Sequence, residues 1–475
     1  MADDLYKLTA LDAVARLRRG EVSPLELIDA AERRHAAVNG AVNALVTPCF
    51  ERARAAARRL MARPVESRGP LCGLPIGVKD LNDVAGVRTT YGSPIFADNV
   101  PAVSDIMVQT LEANGAIVAG MTNTPEFGAG ANTFNAVFGE TLNPWNQALN
   151  AGGSSGGSAA ALAVGIVALA TGSDLGGSLR TPAGYCSVVG LRPSPGRVAN
   201  GPAEQRFNDL SVEGPMARNV PDVALMLDAM VGYRPEDPVS LPAPAAPFLD
   251  AALRRQRPKR IAVSADLGGV TPVDPLTRAG LRQTADKLAN AGIEVVEASP
   301  DFAGAMEAFY VLRGLGYATN MRALLAKHRD KLKPDVIWNI EQGMALTAER
   351  IGKAMLRRSR LYGEMLAFLD QYDLLLAPSA CCPPGPIGER WVRRVDGHDF
   401  PDYIGWLTLH GVITLTACPA LAIPAVFAPD GRPLGVQLVG RPRGEAELLS
   451  AGAAIEEILG VAGAVPIDPK PARPL

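Results

Sequence analysis

From Gly152 to Ser178 the chain reads GGSSGGSAAALAVGIVALATGSDLGGS. Two Gly/Ser clusters, 152–158 and 172–178, bracket a segment from Ala159 to Ala170 built almost wholly of Ala, Val, Leu and Ile. That segment has no polar face, so it must be buried on all sides, as a helix or as a strand. Glycine lacks a Cβ and admits backbone conformations closed to other residues, so each cluster can bring N–H groups and serine hydroxyls close to a ligand. The stretch therefore requires a core large enough to enclose the apolar segment, with two polar loops meeting at its ends. A chain of 475 residues can build such a core.

The rest of the chain alternates helical and strand patterns. Ser23-Pro24-Leu25-Glu26 predicts a helix start with a capping box and Pro at the first position. Leu27, Ile28, Ala31 and Val38 form its stripe, and Asn39-Gly40 is its expected end. A second helix is expected from about Cys49 to Ala62. Pro70–Val78 reads as a short strand or turn that delivers Lys79, Asp105–Asn114 as a helix and Ala116–Gly120 as a strand. Val220–Val231 reads as a helix, and Pro235–Pro247 as a proline-rich connector. Arg260–Val263, Pro275–Ala291 and Ile293–Val296 form a β-α-β pattern. Phe302–Asp370 is largely helical, with Tyr310, Tyr317, Trp338, Met344 and Met355 along it. Leu374–Pro378 is a buried strand that enters a loop over Ser379–Asp402, and a hairpin turning near Asp430-Gly431 precedes a final helix. This alternation predicts an α/β fold with a mixed or parallel sheet and helices on its faces.

Composition removes several functions. The net charge of −2 offers no basic footprint for nucleic acid. The longest apolar stretch is a dozen residues, short of the ~20 that span a bilayer. The N-terminus lacks a basic region followed by an apolar run, so no secretory signal is read. The six cysteines are scattered without CxxC or zinc-type spacing and read as free thiols of a cytoplasmic protein. No metal or other cofactor is expected.

Three chemistries fit the Gly/Ser clusters. Gly152–Gly156 formally matches the G-x-S-x-G nucleophile elbow, but Asn143–Asn150 before it does not read as a strand, and His35, His328, His398 and His410 sit in no motif. A phosphate loop needs a lysine directly after its glycines, and none follows. A serine activated by lysine remains. Lysine serves as a base when desolvation lowers its pKa, and Lys79 follows the apolar stretch Pro75–Val78. On spacing alone, an ion pair of Lys79 with Asp80, Asp83 or Asp174 is the stronger reading.

Further motifs bear on that choice. Gly152–Pro193 resembles the signature segment of the amidase signature family. Gly73–Asp80 resembles its lysine motif, Thr122–Phe127 its next block, and Asn143-Pro144-Trp145 and Gly435–Gly440 further segments. The likeness covers most of the chain, is weakest between about 235 and 405, and keeps the family's order. It implies a Ser-cisSer-Lys triad: Lys79 as base, Ser154 as relay after a cis peptide bond, and Ser178 as nucleophile. It also implies an oxyanion hole from Leu175, Gly176 and Gly177 together with the Ser178 N–H, a substrate contact at Gly128, and support from Ser155, Asp174 and Arg180. The family usually has lysine before Thr122, glycine after Cys186 and lysine in place of Arg192, where this chain has Met121, Ser187 and Arg192.

The resemblance thus implies a single large amidase domain over 1–475, an α/β fold with a mixed, mostly parallel sheet covered by helices on both faces. Its parts are an N-terminal helical arm (1–68), a catalytic core (69–234), a variable pocket segment (235–405) and a C-terminal hairpin and helix (406–475). The expected activity is hydrolysis of a small, neutral and partly apolar amide, with ester or carbamate as side substrates. The helices after Phe302 and the loop Ser379–Asp402 are expected to line the pocket, and no cation for a substrate carboxylate is evident. No membrane or nucleic-acid partner is expected, and a homodimer is left open. The alternatives are the glutaminase subunit of a tRNA-dependent amidotransferase and a non-catalytic binding relative.

Overall fold

The computed structural model describes residues 2–202 and 205–474. Eleven strands form one sheet: β1 (Leu45–Pro48), β2 (Pro75–Lys79), β3 (Ile117–Thr122), β4 (Leu169–Asp174), β5 (Val189–Arg192), β6 (Val212–Ala217), β7 (Arg260–Val263), β8 (Glu294–Glu297), β9 (Leu374–Pro378), β10 (Ala420–Phe427) and β11 (Pro433–Val439). Their order across the sheet is β1-β3-β2-β4-β6-β5-β10-β11-β9-β7-β8. The sheet is mixed, as expected, but it is not mostly parallel. The pairs β2–β3, β2–β4, β7–β8 and β7–β9 are parallel. The six others are antiparallel. Parallel pairs need helical crossovers, such as Pro275–Asn290 between β7 and β8, whereas the middle of the sheet is built from antiparallel returns.

Helices cover both faces. Successive residues of β3 show why: Val118 packs into one hydrophobic cluster, while Ile117 and Ala119 pack into another on the opposite face. Among the described residues no helix is long and apolar enough to cross a membrane.

Three local expectations need correction. The apolar segment is neither one helix nor one strand but both. Helix Gly156–Ala163 ends where Gly165 takes φ +76°, with Ile166 N–H closing back on Ala161 O at 2.9 Å, and β4 then begins at Leu169. The helix capped by Ser23 has its capping box, but it runs past Asn39-Gly40 to Val42. There Asn39 Oδ1 accepts from the N–H groups of Ala44 and Leu45, so this residue serves the chain reversal rather than stopping the helix. Asn143–Asn150 includes a small hairpin, Leu142–Asn143 with Asn146–Asn150, outside the main sheet.

Sheet topology gathers the polar clusters at one edge. Strands β2 and β4 run parallel, with Ile76 beside Leu169 and Gly77 beside Ala170. Their carboxyl ends therefore emerge together, carrying Lys79 from one and Ser173-Asp174 from the other. Strand β6 runs the opposite way and starts at the same edge, with Glu213 paired to Ser173 and Val212 to Asp174. The crevice beyond the carboxyl ends of parallel strands is where open α/β sheets place their ligands.

Candidate active site

Lys79 is fully buried, and its Nζ makes three hydrogen bonds, to Ser154 Oγ (2.7 Å), Ser155 Oγ (2.9 Å) and Ser173 Oγ (2.9 Å). The ion pair with Asp80, Asp83 or Asp174 that spacing allowed does not form. Asp80 instead accepts from the Thr90 N–H and hydroxyl. Burial brings the Lys79 pKa from 10.5 down to about 7, against the opposing pull of Glu213 and Asp174. Ser155 stands at the N-terminus of helix Gly156–Ala163; its Oγ donates to Ser173 O (3.4 Å) and accepts from Ser173 N–H (3.3 Å). The peptide bond Gly153–Ser154 is cis.

Asp174 organises the second cluster. Its carboxylate accepts from Gly177 N–H (2.9 Å), Leu179 N–H (3.2 Å), Arg180 Nε (3.0 Å) and Arg180 Nη2 (2.9 Å). Arg192 donates to the Asp174 carbonyl and, at 3.0 Å, to Leu210 O. Burial alone would raise the Asp174 carboxyl, but the Arg180 and Arg192 charges and these hydrogen bonds hold it well below the usual carboxylate range. Arg180 Nη1 also donates to Gln437 Oε1 (2.9 Å), which ties the Gly435–Gly440 motif to the cluster. Gly177 was expected to be free to bind an oxyanion, but its N–H is already given to Asp174. The N–H groups of Leu175, Gly176 and Ser178 have no acceptor among the described residues.

Ser154, Ser173, Leu175 and Ser178 line one cavity of about 300 Å³. No hydrogen bond reaches the Ser178 hydroxyl among the described residues, so the contact with Ser154 that a relay requires is not closed in this conformation. Catalytic hydrogen bonds commonly tighten only when substrate binds. Gly128 reaches the same wall, and a Cβ built on it would lie 3.4 Å from Ser154 Oγ. The helix Ala305–His328 supplies Leu312, Arg313, Gly316 and Tyr317 to the cavity, and residues 205–211 close another side. The loop Ser379–Asp402 does not line it, contrary to expectation; nor do Tyr310 and Trp338, which stack edge-on 6.4 Å apart elsewhere. No group of three or more His, Cys, Asp or Glu side chains suited to a metal occurs among the described residues.

Three participants escaped the sequence reading. Ser173 was given no role of its own within the second cluster, yet it completes the shell around Lys79. Glu213 is enclosed on β6 and pushed up to about 7 by burial, with Lys79 opposing. Its register partner Ser173 was readable only once β4 and β6 were paired. Residues 205–211 carry no motif at all. His410 lies against Gly177, but its Nε2 bonds to Ser379 O at 2.8 Å, and burial lowers its pKa to about 3. It is no base for Ser178.

A family model described as Amidase matches residues 26–449. An acylamidase of Rhodococcus erythropolis is 32% identical over 472 residues, covering 98% of each chain. One subunit of the glutamyl-tRNA(Gln) amidotransferase of Moorella thermoacetica is 33% identical over 480 residues, 96% of this chain and 97% of its own. Among solved structures, a bacterial aryl acylamidase of the amidase signature enzymes superposes with a TM-score of 0.88 at 27% identity, over 97% of this chain and 99% of its own.

Proposed function

The chain belongs to the amidase family, and we propose that it cleaves the C–N bond of a small amide through an acyl-enzyme on Ser178. One observation carries this reading: a buried lysine with a pKa near 7 touches Ser154, and Ser154 and Ser178 face one cavity. As an ammonium, Lys79 donates one hydrogen bond to each of its three hydroxyl partners. As a neutral amine it has a lone pair; Ser154 and Ser173 both border the cavity, and Ser154, the nearer to Nζ at 2.7 Å, is taken as the relay.

The proposed sequence is then short. Neutral Lys79 accepts the Ser154 proton, Ser154 accepts the Ser178 proton, and Ser178 Oγ attacks the acyl carbon. The oxyanion that forms is met by the N–H groups of Leu175, Gly176 and Ser178. Each such donor contributes ~2.7–4 kcal/mol to transition-state stabilisation. Gly177 shapes this turn and leaves its own N–H on Asp174. The relay reversed protonates the leaving amine, and water attacking the acyl-enzyme releases the acid. Ser155 and Ser173 hold Nζ in place, and Asp174 with Arg180 holds the turn that presents Ser178.

The test is Ser178→Ala. Turnover of p-nitroanilide and simple amide substrates and labelling of Ser178 by a fluorophosphonate are both expected to vanish; retained turnover refutes the nucleophile assignment. The likeness to a component of a tRNA-dependent amidotransferase supports a second reading, a glutaminase that works beside a partner chain. Hydrolysis of a panel of amides, esters and carbamates by the purified chain alone excludes it. Glutamine hydrolysis that appears only with a co-purifying partner establishes it.

A further inference from the structure

Most buried guanidinium groups elsewhere among the described residues face acids, although Arg218 donates to the Leu8 and Val167 carbonyls instead. Arg180 and Arg192 share Asp174, and Arg197 faces Glu445 at 3.0 Å. Arg313 does not. It is 6% exposed, on the helix Ala305–His328. Its Nε donates to Asn339 Oδ1 (3.1 Å), and its Nη2 donates to Tyr317 Oη (3.2 Å) and Tyr403 Oη (2.9 Å). Its guanidinium carbon lies 4.8 and 5.8 Å from the centroids of those two phenol rings. All these partners are neutral; burial pushes the Tyr403 phenol up to about 12. Asp402, next to Tyr403 in the chain, is engaged elsewhere, accepting from Tyr310 Oη (2.7 Å) and the Ile404 N–H (2.9 Å).

Nη1 of Arg313 has no protein acceptor among the described residues, and it is not among the unpartnered polar atoms sealed away from solvent. Arg313 lines the cavity that holds Ser154 and Ser178. The other two charged side chains on that cavity among the described residues, Asp209 and Arg358, pair with each other at 2.8 Å. Among the described residues the cavity therefore carries one positive charge with no acid partner, between apolar walls such as Leu81, Phe127 and Leu175. A buried charge without a counter-ion is costly, and a ligand anion removes that cost. Tyr317 links this charge to the reaction centre: it accepts from Arg313 and contacts Phe127 O at 3.5 Å, one residue before Gly128.

Resting on the amidohydrolase reading above, we propose that the substrate is an amide bearing a carboxylate and that Arg313 is the residue that binds it. The carboxylate takes the open Nη1 edge, while the phenols and Asn339 hold the guanidinium plane in position. The apolar walls then accept the chain between carboxylate and amide. This replaces the neutral substrate expected from the sequence, in which no cation for a substrate carboxylate was evident. The carboxylate can belong to the acyl part, as in a dicarboxylic acid monoamide, or to the amine part, as in an N-acyl amino acid.

The experiment measures kcat/KM of the purified chain in two arms. One compares succinamic, glutaramic and adipamic acids with alkanamides of the same length. The other compares N-acyl amino acids with N-acyl alkylamines of the same size. In one arm the charged member is expected to be preferred by about tenfold to a hundredfold, the worth of a charge-assisted hydrogen bond. Arg313→Met is expected to bring that ratio to about one, chiefly through KM, and Arg313→Lys to recover part of it. Fluorophosphonate labelling of Ser178, followed in parallel, reports the reaction centre separately. Labelled wild-type enzyme with a ratio of one or less in both arms overturns the carboxylate inference and leaves the amidohydrolase reading standing. No labelling and no amide turnover overturn both. The wild-type ratio and the lysine variant decide the matter even if Arg313→Met does not fold.

Discussion

Replacing Glu213 by glutamine tests how the protein sets the base. Lys79 is brought from 10.5 down to about 7 chiefly by burial, and Glu213 exerts the largest opposing pull. Glu213 in turn is pushed up to about 7 by burial, with Lys79 pulling it down and Asp105 adding to the rise. The two groups thus titrate as a coupled pair over the same pH range. The proposed base acts as the neutral amine, so kcat/KM is expected to rise with pH through about 7. Glu213→Gln keeps the shape and removes the negative charge that favours the ammonium. The Lys79 pKa falls, and the acid limb moves to lower pH by about one unit, the effect of one nearby charge. At pH 6 the neutral fraction then rises from about one tenth to about one half, a gain of about fivefold in relative rate. Plateaus above pH 8 are expected to agree. The assay is kcat/KM from pH 5 to 9 for wild type and Glu213→Gln, with Lys79→Ala as the inactive reference. A limb that stays put or moves upward refutes the coupling.

Two further predictions concern the framework. Asp174→Ala leaves the Arg180 and Arg192 guanidinium groups buried without a carboxylate, and the cost is expected to be about 3–5 kcal/mol in denaturant unfolding; a loss below about 1 kcal/mol contradicts the role given to Asp174. Gly128→Ala places a methyl 3.2 Å from Leu81 Cδ1 and 3.4 Å from Ser154 Oγ at a φ of +68°, so kcat/KM is expected to fall about tenfold through misplacement at the reaction centre. Unchanged kinetics with lowered stability would assign Gly128 to loop geometry alone.

The candidate site was legible where its chemistry is written in contiguous residues. Ser154 and Ser178 stand in Gly/Ser clusters, and an apolar strand leads into Lys79, so burial of that lysine followed from its neighbours. Arg180 and Asp174 were legible as neighbours of the same turn. The helix-then-strand division of the apolar segment was not, because both structures accept an Ala/Val/Leu run; Gly165 at φ +76° marks the break. The antiparallel majority of the sheet was equally hidden, since alternation along the chain does not state which strand lies beside which.

By itself the sequence determined the two polar clusters and the buried segment between them, because each depends on residue type and local pattern; for Lys79 the local pattern allowed an ion pair as well as desolvation. Tertiary structure alone decided what surrounds them. Strand register set Glu213 opposite Ser173 and so beside Lys79. The turn geometry gave the Gly177 N–H to Asp174 and left its neighbours open. Helix packing brought Arg313 to the cavity with phenols and an amide as its partners and, among the described residues, no acid. Charge balance in a buried site depends on which distant segments meet there, and that is a property of the packed chain rather than of any stretch of it.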